Sequence, residues 1–469
     1  MRAWIQAARA MYVGVLALVG CSQDPNVTAG CQAGNRSQCV VQASMGSHFG
    51  CAVLTDHSVW CWGRNDESQL GYATMDVCNE DIGGGQTRSV ACHTFPFQVH
   101  GLDHVTRVVS GDAFSCALRD DGTVQCWGAN EAGQLGNGRT LPSADPVSVA
   151  GLTHVTALAL GARHACAIAN GAVQCWGAND KGQLGAASSS QCTLGSTIAP
   201  CSLAPVSTAG TTGAVELAAG AAHTCARVSG GQVQCWGDNS DGQLGAGMPG
   251  PMPPTMRMPV RTASQALGSV IAITAGSFHT CALRDSGAVY CWGRNTHGEL
   301  GLPIPSMTPT GCTDVCSPIA IAVQGLPAAP SPIGGMDGGM GGNDASVDAA
   351  SLRDAAMTST MGPTAISAGD AFTCAVLADS TVRCWGNDTV AELGDGHASA
   401  DPQGPAMVIA QPGAAANNPL QNVTAIASGA AATCAQIGDG SLRCWGSNQD
   451  GALGTGSTSP QLGPVPLGW

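Results

Sequence analysis

Cysteine is the residue type with the greatest capacity for chemistry here, with 23 among 469 residues. Seven pairs recur along the chain, separated by nine residues in six pairs and by eight in the other. They are Cys51 with Cys61, Cys116 with Cys126, Cys166 with Cys175, Cys225 with Cys235, Cys281 with Cys291, Cys374 with Cys384, and Cys434 with Cys444. Such thiols could form disulfides or bind metal ions. Metal ligands usually come as converging pairs about two to four residues apart, so the spacing favours disulfides.

The residues between the paired cysteines predict a β-hairpin. Between Cys116 and Cys126 lies Asp120-Asp121-Gly122, a three-residue loop with Gly in the left-handed position. Counting outward from this loop places the two cysteines opposite each other. In the copy with eight intervening residues the loop is Asn170-Gly171, and the same counting again makes its cysteines face. Facing Cβ atoms of antiparallel strands lie within bridging distance, so we predict one disulfide inside every hairpin.

Other residue types that could do chemistry occupy repeated positions. His164, His223 and His279 share a position that holds Phe or Ala in the other copies, which indicates packing and not catalysis. A tryptophan follows the second cysteine of every copy. We predict that these tryptophans form the core between neighbouring repeats, and the alternative is a row of rings on which sugars stack. The tryptophans are Trp62, Trp127, Trp176, Trp236, Trp292, Trp385 and Trp445. The Asn or Asp three residues after each Trp is expected to cap a turn. We predict no catalytic residue, no metal site and no cofactor.

The elements that position these residues recur in seven copies. Each hairpin has a further short strand before it and another after it, and four-stranded units repeated around an axis are typical of propeller blades. Trp-Gly-x-Asn recurs in six copies, and Gly-Gln-Leu-Gly or a variant of it recurs in all seven. The sixth copy departs most, with Asn387-Asp388 and Ala391-Glu392 at these places. The pattern resembles the regulator-of-chromosome-condensation repeat over residues 40–469. The resemblance implies an all-β, seven-bladed β-propeller with four-stranded blades.

We place the repeat cores at residues 46–71, 111–136, 161–185, 220–245, 276–301, 369–394 and 429–454. The last residues, GPVPLGW, are expected to pair in one sheet with residues 39–43 and so close the ring. Residues 327–362 are rich in Gly, Ala and Asp and lack aromatics, which predicts a disordered insertion.

Four more cysteine pairs are predicted outside the hairpins. Three lie in insertions that follow the Leu-Gly of the first, third and fifth copies: Cys78 with Cys92, Cys192 with Cys201, and Cys312 with Cys316. The fourth is Cys31 with Cys39. Because equivalent loops of a ring emerge on the same side, the insertions are expected to crowd one face or rim.

The N-terminus is typical of an export signal. Residues 1–20 contain two arginines and then an apolar run too short to span a membrane as a mature helix. The run ends in Leu18-Val19-Gly20-Cys21, which resembles the bacterial lipobox and implies lipidation of Cys21. A plain signal peptide is the alternative, with Cys21 free or paired. Residues 21–39 would form a tether. With Cys21 lipidated, eleven disulfides account for all other cysteines, as an oxidising compartment allows.

Charge restricts the partners. The formal net charge is −14 at pH 7 and Lys is scarce, so nothing supplies the basic stripe that nucleic acid requires. We expect a monomeric, non-catalytic binding scaffold, lipid-anchored at the bacterial outer membrane or cell surface, with a loop-rich face for a protein partner.

The resemblance supports protein binding, since exported relatives of the repeat family include a protein inhibitor of β-lactamase. The nucleotide-exchange role of its nuclear relatives is not carried over to an exported, acidic, Cys-rich chain. Two alternatives stay open: carbohydrate or cell-wall binding through Trp60 or loop groups, and a hydrolase or lyase grafted on the ring.

Overall fold

Thirty strands make up the regular structure of the described residues. A computed structural model describes residues 39–468 except 82–85, 189, 252, 254, 255, 303–311, 328–361 and 416. The predicted signal peptide, Cys21, Cys31 and nearly all of the predicted insertion at 327–362 lie outside the described residues.

The strands fall into seven blades in chain order. The first has β1 (Val40–Met45), β2 (Phe49–Leu54), β3 (Val59–Arg64), β4 (Val77–Asp81) and β5 (Thr87–Gln98). The second has β6 (Val105–Ser110), β7 (Phe114–Arg119), β8 (Val124–Gly128) and β9 (Ser143–Ser148). The third has β10 (Val155–Leu160), β11 (His164–Ala169), β12 (Ala172–Ala178), β13 (Ser190–Leu194) and β14 (Thr197–Thr212). The fourth has β15 (Ala214–Ala219), β16 (His223–Val228), β17 (Gln232–Gly237) and β18 (Met258–Pro259).

The remaining three blades have four strands each. The fifth has β19 (Val270–Ala275), β20 (His279–Arg284), β21 (Val289–Arg294) and β22 (Cys316–Ala322). The sixth has β23 (Pro363–Ala368), β24 (Phe372–Leu377), β25 (Val382–Asp388) and β26 (Ser399–Met407). The seventh has β27 (Val423–Ser428), β28 (Ala432–Ile437), β29 (Leu442–Gly446) and β30 (Gln461–Pro466).

Each blade is an antiparallel sheet built from consecutive strands, so the predicted seven-bladed, all-β propeller is confirmed. In the first and third blades the insertions add an outer fifth strand, β4 and β13. The first strand of each blade contacts the first strand of the next, which makes these strands the innermost ones around the axis.

The predicted closure of the ring by strand sharing is wrong. β30 pairs with β29 in the last sheet, whereas β1 pairs with β2 in the first. The physical reason is that every repeat supplies all strands of its own blade, so no sheet lacks a partner that the other chain end could provide. Contacts between sheets join the ends instead, including the bond from the Val40 amide to the Gly440 carbonyl, 2.9 Å.

Small turns allow the blades to approach the axis. The glycine that follows the first strand of each blade packs against the corresponding glycine of the next blade. A Cβ atom on Gly46 would lie 2.7 Å from the Gly111 carbonyl oxygen, and one on Gly369 would lie 2.6 Å from that of Gly429. The recurrence of Gly at this position therefore follows from close packing around the axis.

The alternating strand directions define two faces. Turns between the first and second strands, and loops that follow the third strand, lie on one face, which we call the insertion face. The opposite face carries the short hairpin turns that precede each third strand, and we call it the hairpin face. All three cysteine-bearing insertions follow a third strand, as do the longer loops of the other blades, so they share the insertion face.

Candidate functional site

The hairpin cysteines are joined as predicted, with one disulfide inside every blade. Cys116 faces Cys126 in the strand register, and Cys166 faces Cys175 despite the shorter loop. The Cα atoms of these two pairs lie 4.0 and 4.1 Å apart. Asn170 and Gly171 both have positive φ, which is the geometry of the tightest hairpin turn. The registers that the loops predicted are therefore the ones that form.

Disulfides also join the cysteines of the insertions. They connect Cys78 with Cys92, Cys192 with Cys201, and Cys312 with Cys316. Cys31 of the predicted Cys31–Cys39 pair lies outside the described residues. In the third blade, Cys192 and Cys201 pack with Ala132 of the second blade and Ala178 of their own. The stapled loop is thus fixed across two blades.

The seven tryptophans lie between blades and are buried completely. Each donates its indole N–H to a backbone carbonyl of the preceding blade, at 2.8–2.9 Å. The pairs are Trp62 with Ala452, Trp127 with Gln69, Trp176 with Gln134, Trp236 with Gln183, Trp292 with Gln243, Trp385 with Glu299, and Trp445 with Glu392. This confirms the predicted core role and excludes these residues as a sugar-stacking row.

The Asn or Asp after Trp-Gly organises the loop that carries this carbonyl, as predicted. Its Oδ1 accepts the amide N–H of the Leu five residues later in all seven blades. The Gln side chain of the loop accepts a second amide, for example that of Ala132 on Gln134 at 2.8 Å. The loop is therefore a rigid wedge between neighbouring blades.

The three histidines are buried at successive blade interfaces, which confirms packing. Their Nε2 atoms lie 2.8–2.9 Å from a threonine hydroxyl of the next blade: His164 with Thr224, His223 with Thr280, and His279 with Thr373. The hydroxyl of Thr224 donates to the Gln183 carbonyl, so His164 must carry its proton on Nε2. Burial lowers the pKa of His164 to about 4, so the ring is neutral at pH 7.

A groove crosses the insertion face near the axis, over the first three blades. Its volume is about 380 Å³. It is lined by residues of the turns after the first strands and of the Asn loops: Ser47, His48, Arg64, Asp66, Glu67, Gln69, Asp112, Ala113, Ala129, Glu131, Gln134, Ala162 and Arg163. The turns and loops that build it also position the Trp and Asn side chains, so the groove has a rigid floor.

Ion pairs fix several groove side chains. Arg64 bonds Asp66 at 2.9 Å, and Arg88 of the first insertion reaches the same carboxylate at 3.3 Å. His48 Nδ1 lies 3.2 Å from the buried carboxylate of Asp450 in the seventh blade. Arg163 of the third blade bonds Glu131 of the second at 2.9 Å. The groove is therefore a preorganised charged surface.

The acids of the groove differ in their tendency to ionise. Partial burial opposes ionisation of Asp66, but the bond and charge of Arg64 outweigh it and lower the pKa. Partial burial raises the pKa of Glu67, and the neighbouring charges of Asp66 and Glu131 raise it further. A cationic group brought to Glu67 would relieve that repulsion.

Within the described part of the chain, no group of three or more His, Cys, Asp or Glu side chains could hold a metal ion. His48 is paired with Asp450, but within the same residues it makes no hydrogen bond to a hydroxyl or thiol nucleophile. Trp60 is half-buried on β3, with its indole N–H bonded to Ser58 at 3.0 Å. It is not part of the groove.

The groove residues were missed in the sequence because they come from three repeats. One signal was available for the buried contacts: each His at the shared position is followed, one repeat later, by a Thr beside the first cysteine. No comparable pattern pointed to Arg163, Glu131 or Asp450.

Exposed apolar side chains on the same face surround the loops of the first four blades. They are Met75, Val77, Leu141, Ile198, Met248 and Met256, with exposed fractions from 41% to 100%. No helix within the described ranges has the length and hydropathy needed to cross a membrane.

Two family models match different parts of this chain, and both describe the same kind of repeat. The RCC1-like domain matches residues 13–338, more than half of the chain, and the regulator of chromosome condensation (RCC1) repeat matches residues 364–390. The E3 ubiquitin-protein ligase HERC2 of Homo sapiens is 27% identical over 271 residues, which cover 56% of this chain and 5% of HERC2. The chain thus spans a small part of that relative's length.

Two solved structures share the fold. Human WBSCR16 has a TM-score of 0.65 and 19% identity, with 88% of this chain and 94% of that chain covered. Yeast RCC1 (Prp20), solved with Kap60 bound, has a TM-score of 0.60 and 17% identity, with 94% and 90% covered.

Proposed function

The chain belongs to the RCC1-like domain family, and on that premise we propose that it is a non-catalytic scaffold that binds a protein partner through its insertion face. Yeast RCC1, a structural neighbour, is solved with the protein Kap60 bound, so the fold supports recognition of this kind. Rigid frames that carry variable loops are a common basis for binding.

The observation that carries the proposal is the asymmetry between the two faces. The insertion face combines disulfide-stapled loops, exposed apolar tips such as Ile198 and Leu141, and the charged groove. The hairpin turns between the cysteines of each blade are only two or three residues long. The apolar tips surround a polar centre, and the loops that carry them are already ordered. Ordered loops lose less conformational entropy when a partner binds.

We also propose that the protein is exported to the bacterial cell envelope and lipidated at Cys21. The disulfides of the described residues support a location in an oxidising compartment, because reducing compartments keep such thiols free. Replacement of Cys21 by Ala is expected to release the protein from the membrane fraction. A Cys21→Ala protein that stays in that fraction would contradict lipid anchoring while leaving the binding proposal intact.

Site-specific photo-crosslinking of the full-length protein in intact cells tests the binding face. A photoreactive side chain at Leu141 or Ile198 is expected to give a discrete protein adduct, whereas one at Asp379, on a hairpin turn of the other face, is not. The adduct from Leu141 should be lost in Ile198→Asp but kept in Leu462→Asp, a matched change at an exposed residue of the outer strand β30.

Adducts from the hairpin face alone would contradict the proposal. The carbohydrate alternative predicts a different result: retention of the protein on cell-wall glycans that the Ile198→Asp change does not affect.

A further inference from the structure

The sixth blade departs from the others at one buried position. Asp388 stands where six blades have Asn, and its Oδ1 accepts the Leu393 amide at 3.1 Å, as the asparagines do for their leucines. The loop shape is therefore kept. What differs is the second side-chain atom, an oxygen in place of an amide nitrogen.

In five of the other blades that nitrogen donates a hydrogen bond to the loop itself. Asn130 Nδ2 donates to the carbonyls of Arg139 and Leu141, at 3.0 and 2.9 Å. Asn448 Nδ2 donates to those of Ser457 and Ser459, at 2.9 and 3.0 Å. The acceptors are nine and eleven residues after the Asn in both blades.

The same offsets in the sixth blade lead to His397 and Ser399. Asp388 faces Ser399 in the strand register. The amide of His397 bonds Asp395 Oδ1 at 3.1 Å, as that of Arg139 bonds Asn137 Oδ1 at 3.1 Å. The two loops share this bond and these offsets, so by analogy with the other blades we take the carbonyls of His397 and Ser399 as the acceptors opposite Asp388.

An ionised carboxylate has no hydrogen to donate to these carbonyls. Asp388 is only 1% exposed, and its Oδ2 has no hydrogen-bond donor among the described residues. The charged groups around it are Asp395, Glu392 and His397. The two acids repel a negative charge on Asp388, whereas His397 favours it. From the fifth blade, His297 acts on Glu392. Burial, followed by the charges of Asp395 and Glu392, raises the pKa of Asp388 to about 7.

We propose that Asp388 is held as a neutral carboxylic acid whose Oδ2–H donates to the loop carbonyls, and that this proton is a pH-sensitive latch on the sixth blade. The latch is independent of the proposed binding function. An O–H donor needs about 2.5–3.0 Å to its acceptor, close to the spacing that the amides keep in the other blades. Within the described residues no group of three or more His, Cys, Asp or Glu side chains could hold a metal ion at this place, so we assign a proton in preference to a calcium ion.

The latch acts on the interface with the seventh blade. The loop that Asp388 holds carries the Glu392 carbonyl, which accepts the Trp445 indole N–H at 2.9 Å. Loss of the proton places a buried charge against carbonyl oxygens and loosens this loop. Because the pKa is raised in the folded state, the contribution to stability is present below the unfolded value of 3.8 and is lost as pH rises through about 7.

Asp388→Asn tests the latch, since six blades show that Asn fits this loop. Between about pH 5 and pH 8, the folding equilibrium constant of the wild type should fall about 100-fold relative to that of Asp388→Asn. Amide exchange in residues 388–396, corrected for its intrinsic pH dependence, should accelerate in the wild type only. The infrared carbonyl band of a protonated carboxyl should be present in the wild type at about pH 5 and absent from the variant.

Asn448→Asp in the seventh blade is the matched control and should introduce a second pH dependence of the same sign. Three results would overturn the latch: equal pH dependence in wild type and Asp388→Asn, no difference in the carboxyl band, or a gain in wild-type stability with calcium that Asp388→Asn lacks. The last would assign a cation in place of the proton.

Discussion

The indole nitrogen of Trp62 lies 2.8 Å from the carbonyl oxygen of Ala452, although 390 residues separate them in the chain. The same bond joins every other pair of neighbouring blades, so this one completes the circle between the first and the last. A ring held in this way has no unpaired junction, and its closure depends on contacts between neighbouring sheets and not on a shared strand.

Replacement of Trp62 by Phe should weaken that closure. The change removes a buried donor and leaves the Ala452 carbonyl without it, which costs about 1–3 kcal/mol of unfolding free energy. Urea denaturation monitored by circular dichroism measures the loss. Trp60→Phe, on the same strand but half-buried, is the control and should cost less than about 1 kcal/mol. Equal losses would contradict a special role for the Trp62–Ala452 bond.

Removal of one hairpin disulfide should destabilise its blade without rearranging the others. For the double change of Cys116 and Cys126 to Ser, a closed loop of about ten residues predicts a loss of about 2–3 kcal/mol. Denaturation curves give the value, and peptide mapping under non-reducing conditions checks the remaining bridges. A map with cysteines joined between different blades would show that the hairpin registers are not what fixes the pairing.

Acid should destabilise the ring through its buried histidines. Burial lowers the pKa of His164 to about 4, that of His223 to about 3 and that of His279 to about 4. Because the folded values lie below the unfolded value of 6.5, stability is complete above about pH 6.5 and falls as pH drops toward 4. Each histidine contributes a slope of up to about 1.4 kcal/mol per pH unit.

His223→Phe, which places there the residue found in three other blades, should remove about one third of that slope. Urea titrations between about pH 4.5 and 7.5 would measure it. Thr280 keeps an acceptor in the Gln243 carbonyl, so the variant is expected to fold. An unchanged slope in His223→Phe would exclude His223 as one of its sources.

Ala391→Gly should stabilise the sixth blade. Ala391 has a φ of 66°, where five other blades have Gly at φ values of 74° to 79°. A non-glycine residue in this left-handed region costs about 1–2 kcal/mol of folding free energy. Gly removes that cost but raises the entropy of the unfolded chain, so a net stabilisation of about 0.5–1 kcal/mol is expected. Ala378→Gly, an exposed position of the same blade outside the left-handed region, should lower the melting temperature instead. A loss of stability in both variants would contradict the strain at Ala391.

The sequence by itself determined the local features of this protein. The loops Asp120-Asp121-Gly122 and Asn170-Gly171 set the hairpin registers, and the registers bring the cysteines together, because all these residues lie within about ten positions of one another. Seven such units imply seven blades, and the change from Asn to Asp at residue 388 is visible in the sequence before any fold is known.

Only the tertiary structure decided what lies between blades. The join of the chain ends, predicted as a shared sheet, is made by contacts such as Trp62 with Ala452. The groove unites Arg163 with Glu131, and His48 with a carboxylate about 400 residues away, Asp450. Spacing along a strand fixes which residues face each other within a sheet, but the packing of one sheet on the next depends on how all seven close around the axis, and no local pattern encodes that distance.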